Sequence, residues 1–177
     1  LSGTNEFRGE WAQHVAELAA EGVISPETAA EHPALIIVGL VGSIDNDLVG
    51  TDMTIGAVTA LHRILDAIDQ LTSTAASHQR TFVVEVMGRH CGYLPLMAAV
   101  AGGADYVFTP EDPVGQGWQD DLAEHLRLGR EAGRRESIVL VAEGAHDRDG
   151  NELSTQLIAD TIQERTGEDA RVTILGH

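Results

Sequence analysis

The sequence predicts an α/β fold, a parallel sheet with helices on both faces. Three observations carry this. Apolar runs of strand length, such as residues 35–41, 82–86 and 137–142, alternate along the chain with segments of helical periodicity. The run at 35–41 is continuously apolar rather than alternating, as expected of a strand covered on both sides. Each run ends in a polar or glycine-containing turn.

In chain order, residues 9–21 read as a helix, with Trp11, Val15 and Leu18 on one face. Pro26 starts a short second helix from its first position. Residues 35–41 are predicted to form a buried strand, followed by a polar turn at 42–47. A long amphipathic helix is predicted from about Thr54, because Ile55, Val58, Leu61, Ile64, Leu65, Ile68 and Leu71 recur at helical spacing. Asp52 is its expected N-cap. The cycle then repeats: a strand at 82–86, a turn at 87–90, and a helix from 94 to 100 with Pro95 in its first turn. A short strand at 105–108 ends at Pro110-Glu111. A helix follows at 118–130, a strand at 137–142, a polar loop at 147–151, a helix capped by Ser154 and a last strand at 171–175. Leu94, Leu96 and Met97 are expected in the core, and Cys91 as a small packed hydrophobe.

Composition narrows the function. The 177 residues carry 11 basic against 28 acidic side chains, a formal charge of −17, and every basic residue is Arg. Without Lys there is no Walker A loop, no Schiff-base lysine and no protein-kinase strand lysine. The acidic balance argues against broad contact with nucleic acid or an anionic membrane. It leaves room for a small phosphorylated ligand held by a few arginines. One Cys excludes an internal disulfide and fits a reducing, cytoplasmic setting. No apolar stretch is long enough to span a bilayer. The chain begins without Met and ends at Ile174-Leu175-Gly176-His177, the functional end of a strand, so it is expected to be a fragment.

Ligands of open parallel sheets bind beyond the carboxyl ends of the strands. The residues predicted there are Ser43, Asp45 and Asp47, then Met87, Gly88 and Arg89, then Glu111, Glu143 and His177. Asp45-Asn46-Asp47 is readable as a simple turn. It is also readable as a general base beside an acid that orients metal-bound water, or as the acid-x-acid metal turn of nucleotide-sugar enzymes. Gly88 lets backbone approach a ligand beside Arg89. Arg80 and Arg171 each precede a strand, so they are expected at the opposite edge and could reach an active site only across a subunit interface.

At Gly42-Ser43-Ile44-Asp45-Asn46-Asp47 and Val84-Glu85-Val86-Met87-Gly88-Arg89-His90-Cys91-Gly92-Tyr93 the sequence strongly resembles the ATP-dependent 6-phosphofructokinases, nearest the N-terminal, catalytic half of the fungal-type duplicated enzymes. Gly50-Thr51-Asp52, Ser77-His78-Gln79-Arg80, Gly103-Ala104-Asp105, Ala142-Glu143-Gly144 and the Arg171 to His177 motif extend the resemblance over essentially the whole chain. It implies the family's three-layer fold, with residues 1–177 forming part of its catalytic domain. It also implies transfer of the ATP γ-phosphoryl group to the 1-hydroxyl of fructose 6-phosphate in a cytoplasmic, glycolytic, allosteric enzyme. Asp45 matches the catalytic base, Ser43 a residue near the transferred group, and Asp47 an acid of the Mg2+ network. Met87, Gly88 and Arg89 match the turn that holds the sugar phosphate, and Arg89 also stabilises transition-state charge. Glu143 matches the acid on the sugar hydroxyls. Arg80, Arg171 and His177 match the 6-phosphate ligands, the two arginines coming from a neighbouring subunit of a homo- or hetero-oligomer. Gly3 matches a remnant ATP contact.

Several departures bear on these expectations. The family's Gly-Gly-Asp-Gly-Ser phosphate loop and N-terminal nucleotide strand are not in the chain, so it is expected to be inactive alone. Gly42 stands where pyrophosphate-dependent relatives have Lys, which favours ATP. Thr72 replaces the Arg of the bacterial effector site. Retention of Asp45 speaks against the alternative of a non-catalytic, sugar-phosphate-binding regulatory half.

Overall fold

The computed structural model describes residues 2–176. The chain divides into two compact units, Leu1–Leu40 and Val41–His177.

The first unit holds α1 (Ser2–Ala20) and α2 (Pro26–Glu31). Helix α1 starts seven residues ahead of the predicted position. Trp11 anchors the pair by donating its indole N–H to the carbonyl of His32 at 3.0 Å. Phe7 packs edge-on against Trp11, with ring centroids 5.9 Å apart. Ser25 caps α2, accepting from the Thr28 amide at 3.2 Å, and Pro26 occupies the first turn as expected.

The predicted strand at 35–41 does not form. These residues lie outside helices and strands, and Ile36, Val38 and Leu40 are largely exposed. A strand is defined by its neighbours, since its backbone groups need a ladder to bond. No ladder to residues 35–41 exists among the described residues.

The second unit is built on four parallel strands, β1 (Thr81–Val86), β2 (Tyr106–Phe108), β3 (Ser137–Ala142) and β4 (Ala170–Leu175), in the order β2-β3-β1-β4. All four were legible within one residue. Side chains alternate across the sheet. Phe82, Val84 and Val86 of β1, with Ile138 and Leu140 of β3, face Ile64 and Ile68 of α3 (Ala57–His78) and Leu94 and Ala98 of α4 (Tyr93–Gly102). Val83, Val139 and Val141, with Phe108, face Leu122 and Leu126 of α5 (Trp118–Glu131) and Ile158 and Ile162 of α6 (Thr155–Thr166). The result is the predicted three-layer α/β arrangement. Each fully buried aliphatic side chain contributes about 1.5–3 kcal/mol of transfer free energy.

Local expectations fare unevenly. Ser154 caps α6, accepting from the Leu157 amide at 3.2 Å. Helix α3 begins at Ala57 behind Gly56, so Asp52 is not its cap. Leu94 is buried, but Leu96 and Met97 are exposed on the outer face of α4. The amino-terminal edge of the sheet is pinned by charge. Glu168 receives Nε and Nη2 of Arg130 at 2.8 and 2.9 Å, and the Thr81 hydroxyl at 2.7 Å. Burial opposes ionisation of Glu168, but the Arg130 fork and Thr81 outweigh it and hold the carboxyl below its ordinary range. Among the described residues, no helix is long and apolar enough to cross a membrane.

Candidate active site

Strand direction places the ends of β1, β2 and β3 on one edge, so Met87, Thr109 and Glu143 leave the sheet together. Gly88, with φ 150°, carries the chain into the turn after β1, where a Cβ would stand 2.5 Å from the Cys91 carbonyl oxygen. Arg89 follows at φ 51°, a left-handed conformation rare for a long side chain. Glu143 stabilises this turn from the next strand. Its Oε2 accepts the Arg89 amide at 3.0 Å and the Gly88 amide at 3.3 Å, while its own amide donates to Val86 at 3.0 Å. Gly144 seals the contact, since a Cβ there would overlap the Arg89 carbonyl oxygen.

A second loop, Ser43 to Gly56, closes against the same turn. Asp45 is buried, with 8% exposure, and its Oδ2 lies 3.5 Å from Nε of Arg89. The Asp45 amide donates to Oγ of Ser43 at 3.1 Å. Asn46, at φ 58°, accepts the Thr54 amide on its side-chain oxygen at 2.9 Å. The loop's return is locked at Gly56, whose amide donates to the Ser43 carbonyl at 3.1 Å and whose Cβ would press on Ile44. Cys91 is half-buried and bridges the two loops, its thiol donating to the Asn46 carbonyl at 3.6 Å. It is a tie rather than only the packed hydrophobe expected.

A shallow depression lined by Asp47, His90, Cys91 and Glu111 borders the Asp45–Arg89 pair. An apolar one lined by Ile44, Ile55, Met87, Ile174 and Leu175 borders it on another side. Glu111 holds the start of α4, accepting the Gly92 amide at 2.7 Å. Gly92 in turn has no room for a side chain beside Thr109. Positive charge at the helix start favours that carboxylate.

The arrangement unites Ser43, Asp45, Asp47, Met87, Gly88, Arg89 and Glu143, as sequence reasoning required. It can present a carboxylate to a hydroxyl proton, with a guanidinium alongside for developing negative charge. Among the described residues, no three His, Cys, Asp or Glu side chains converge as a cation cage. The two carboxylates at 45 and 47 suit a cation that takes one or two protein oxygens and completes its shell from phosphate and water. Arg80 and Arg171 lie at the opposite, amino-terminal edge, both against Asp169. Gly3 is in α1 of the first unit, exposed. His177 lies outside the described residues. Sequence reasoning had marked Glu111 and Glu143 but missed their backbone clasps, and it missed Asp169 altogether.

The family model described as phosphofructokinase matches residues 2–177. The chain is 55% identical over its whole length to the human liver-type ATP-dependent 6-phosphofructokinase, of which it covers 23%. It is 51% identical to an ATP-dependent 6-phosphofructokinase of Calanus finmarchicus, covering all of this chain and 96% of that one. Its fold superposes on a phosphofructokinase from Saccharomyces cerevisiae with a TM-score of 0.91 and 52% identity, covering 99% of this chain and 24% of the other.

Proposed function

The chain belongs to the phosphofructokinase family, and we propose that it is a catalytic-domain segment of a cytoplasmic, ATP-dependent 6-phosphofructokinase acting in glycolysis. The observation that carries this reading is the buried Asp45 set 3.5 Å from Arg89, at the edge where the strands end. The segment spans about a quarter of the liver-type relative, so the remaining substrate contacts belong to the rest of the enzyme.

In this reading the 1-hydroxyl of fructose 6-phosphate lies at Asp45, which takes its proton. The hydroxyl oxygen bonds to the γ-phosphorus as the bond from that phosphorus to the bridging oxygen breaks, and ADP leaves. Phosphoryl transfer of this kind depends on positioning and charge neutralisation rather than covalent help from the protein. Arg89 faces the developing charge, and Ser43 lies beside the transferred group. Asp47 would lend an oxygen to hold the Mg2+ that accompanies ATP, and the ion would supply neutralisation of phosphate charge. Glu143 binds sugar hydroxyls, and its existing bonds to Gly88 and Arg89 tie sugar recognition to the turn that carries the cation. Met87 and Gly88 line the sugar side. Gly3 contacts ATP. Arg80, Arg171 and His177 take the 6-phosphate, the two arginines reaching a neighbouring subunit's site, which accounts for their place at the far edge of the sheet.

The test is Asp45→Ala in the full-length enzyme. Turnover is expected to fall about 10²-fold or more through loss of base catalysis, with fructose 6-phosphate binding largely kept. Near-normal turnover would remove Asp45 from the role of base.

A further inference from the structure

We propose that Asp169 is a positioning residue that gathers Arg80 and Arg171 into one phosphate-binding pair; this rests on the reading of those arginines as 6-phosphate ligands. Arg80 leaves α3 through Gln79, which is left-handed at φ 53°, and directly precedes β1. Arg171 is the second residue of β4, paired in register with Phe82 of β1. The two side chains therefore start from neighbouring strands at one edge. Asp169 stands between them, its carbonyl accepting the Thr81 amide at 3.2 Å. One carboxylate oxygen, Oδ2, lies 2.6 Å from Nε of Arg80 and 3.1 Å from Nη2 of Arg171. Among the described residues it is the acid that two arginines share.

The contrast with the neighbouring Arg130 is informative. That fork is closed on Glu168 through two nitrogens, and its side chain is 21% exposed. Arg80 and Arg171 are 31% and 56% exposed; Arg80 meets Asp169 at Nε, and Arg171 donates to it from Nη2. A guanidinium has five N–H donors, so most remain to face a ligand. Two cations held on one anion leave a net positive cluster, and without the anion the two cations would repel and separate. Asp169 thus brings the forks together without consuming them. The ligand this suits is a phosphate dianion, able to accept from both forks at once.

The experiment compares Asp169→Asn, Asp169→Glu, Arg80→Ala and Arg171→Ala in the full-length enzyme, measuring kcat and KM for fructose 6-phosphate and for ATP, with thermal midpoints. Asp169→Asn is expected to raise the fructose 6-phosphate KM about three- to tenfold, leaving kcat and the ATP KM unchanged. Asp169→Glu, which keeps the charge, is expected to recover part of the loss. An unchanged or lowered KM in Asp169→Asn, while either arginine variant raises it, overturns the proposal. So does a fall in kcat that follows a fall in thermal midpoint, the mark of a structural role. If the two arginine variants themselves leave the KM unchanged, the reading of those arginines fails instead.

Discussion

Gly144→Ala tests whether the site depends on the contact between β3 and the turn after β1. The new methyl group would overlap the Arg89 carbonyl oxygen and stand 3.1 Å from its carbonyl carbon and 3.5 Å from Cα of His90. These are backbone atoms, so no side chain can swing away. One of the two segments must retreat by about 1 Å before the contact is tolerable. The overpacking alone costs about 1–3 kcal/mol. If the turn retreats, the charge-assisted bonds from Gly88 and Arg89 to Glu143 lengthen, and their weakening adds to the loss. Stability should therefore fall by about 2–4 kcal/mol. A displacement of that size moves Arg89 relative to Asp45, and misplacement of about 1 Å typically costs near 10²-fold in rate. The assay is steady-state turnover of the full-length enzyme beside its thermal midpoint, with Gly9→Ala, on the exposed face of α1, as control. Wild-type turnover in Gly144→Ala would refute the claim that this contact sets the position of Arg89.

Three further substitutions probe the scaffold. The Glu168 carboxyl titrates below its ordinary range in the folded protein, so its contribution is complete above about pH 4.5 and is lost as pH falls through the lowered value. Glu168→Gln should lower stability by about 2 kcal/mol at pH 7 and by progressively less toward pH 3, read as thermal midpoints of both proteins across that range. Leu94→Ala should cost about 3 kcal/mol, since Leu94 is fully buried between α4 and the sheet, whereas Leu96→Ala, at an exposed site, should cost under about 1 kcal/mol; hydrogen exchange in α4 would separate the two.

Much of the fold was legible because its signals are local. Runs such as Ser137–Ala142, the helix start at Pro26 and the cap at Ser154 declare themselves within a few residues. Residues 35–41 carry the same apolar signal, but a strand exists only where a neighbour completes its ladder, and that is a long-range fact. Leu96 and Met97 were misassigned for a related reason: α4 is apolar nearly all round, so periodicity could not say which face packs inward. The site divides the same way. The rule that ligands gather beyond strand ends reached Arg89 and Glu143 through strands that exist, but it reached Asp45 by way of the strand at 35–41 that does not form. It could not reveal that Gly144 abuts Arg89, that Cys91 ties to Asn46, or that Asp169 unites two arginines, because each joins segments far apart in the chain.

The backbone of Arg89 also shapes which sequences a search for stability would choose. Its φ of 51° costs about 1 kcal/mol or more for a side chain of that kind. Selection for folding alone would favour Gly or Asn at this position. A stabilising redesign that scores each residue by its own conformational comfort would therefore erase the guanidinium facing Asp45 and count the change as an improvement. Under the role proposed for Arg89, position 89 is where stability and turnover pull in opposite directions, and engineering of this domain should hold it fixed.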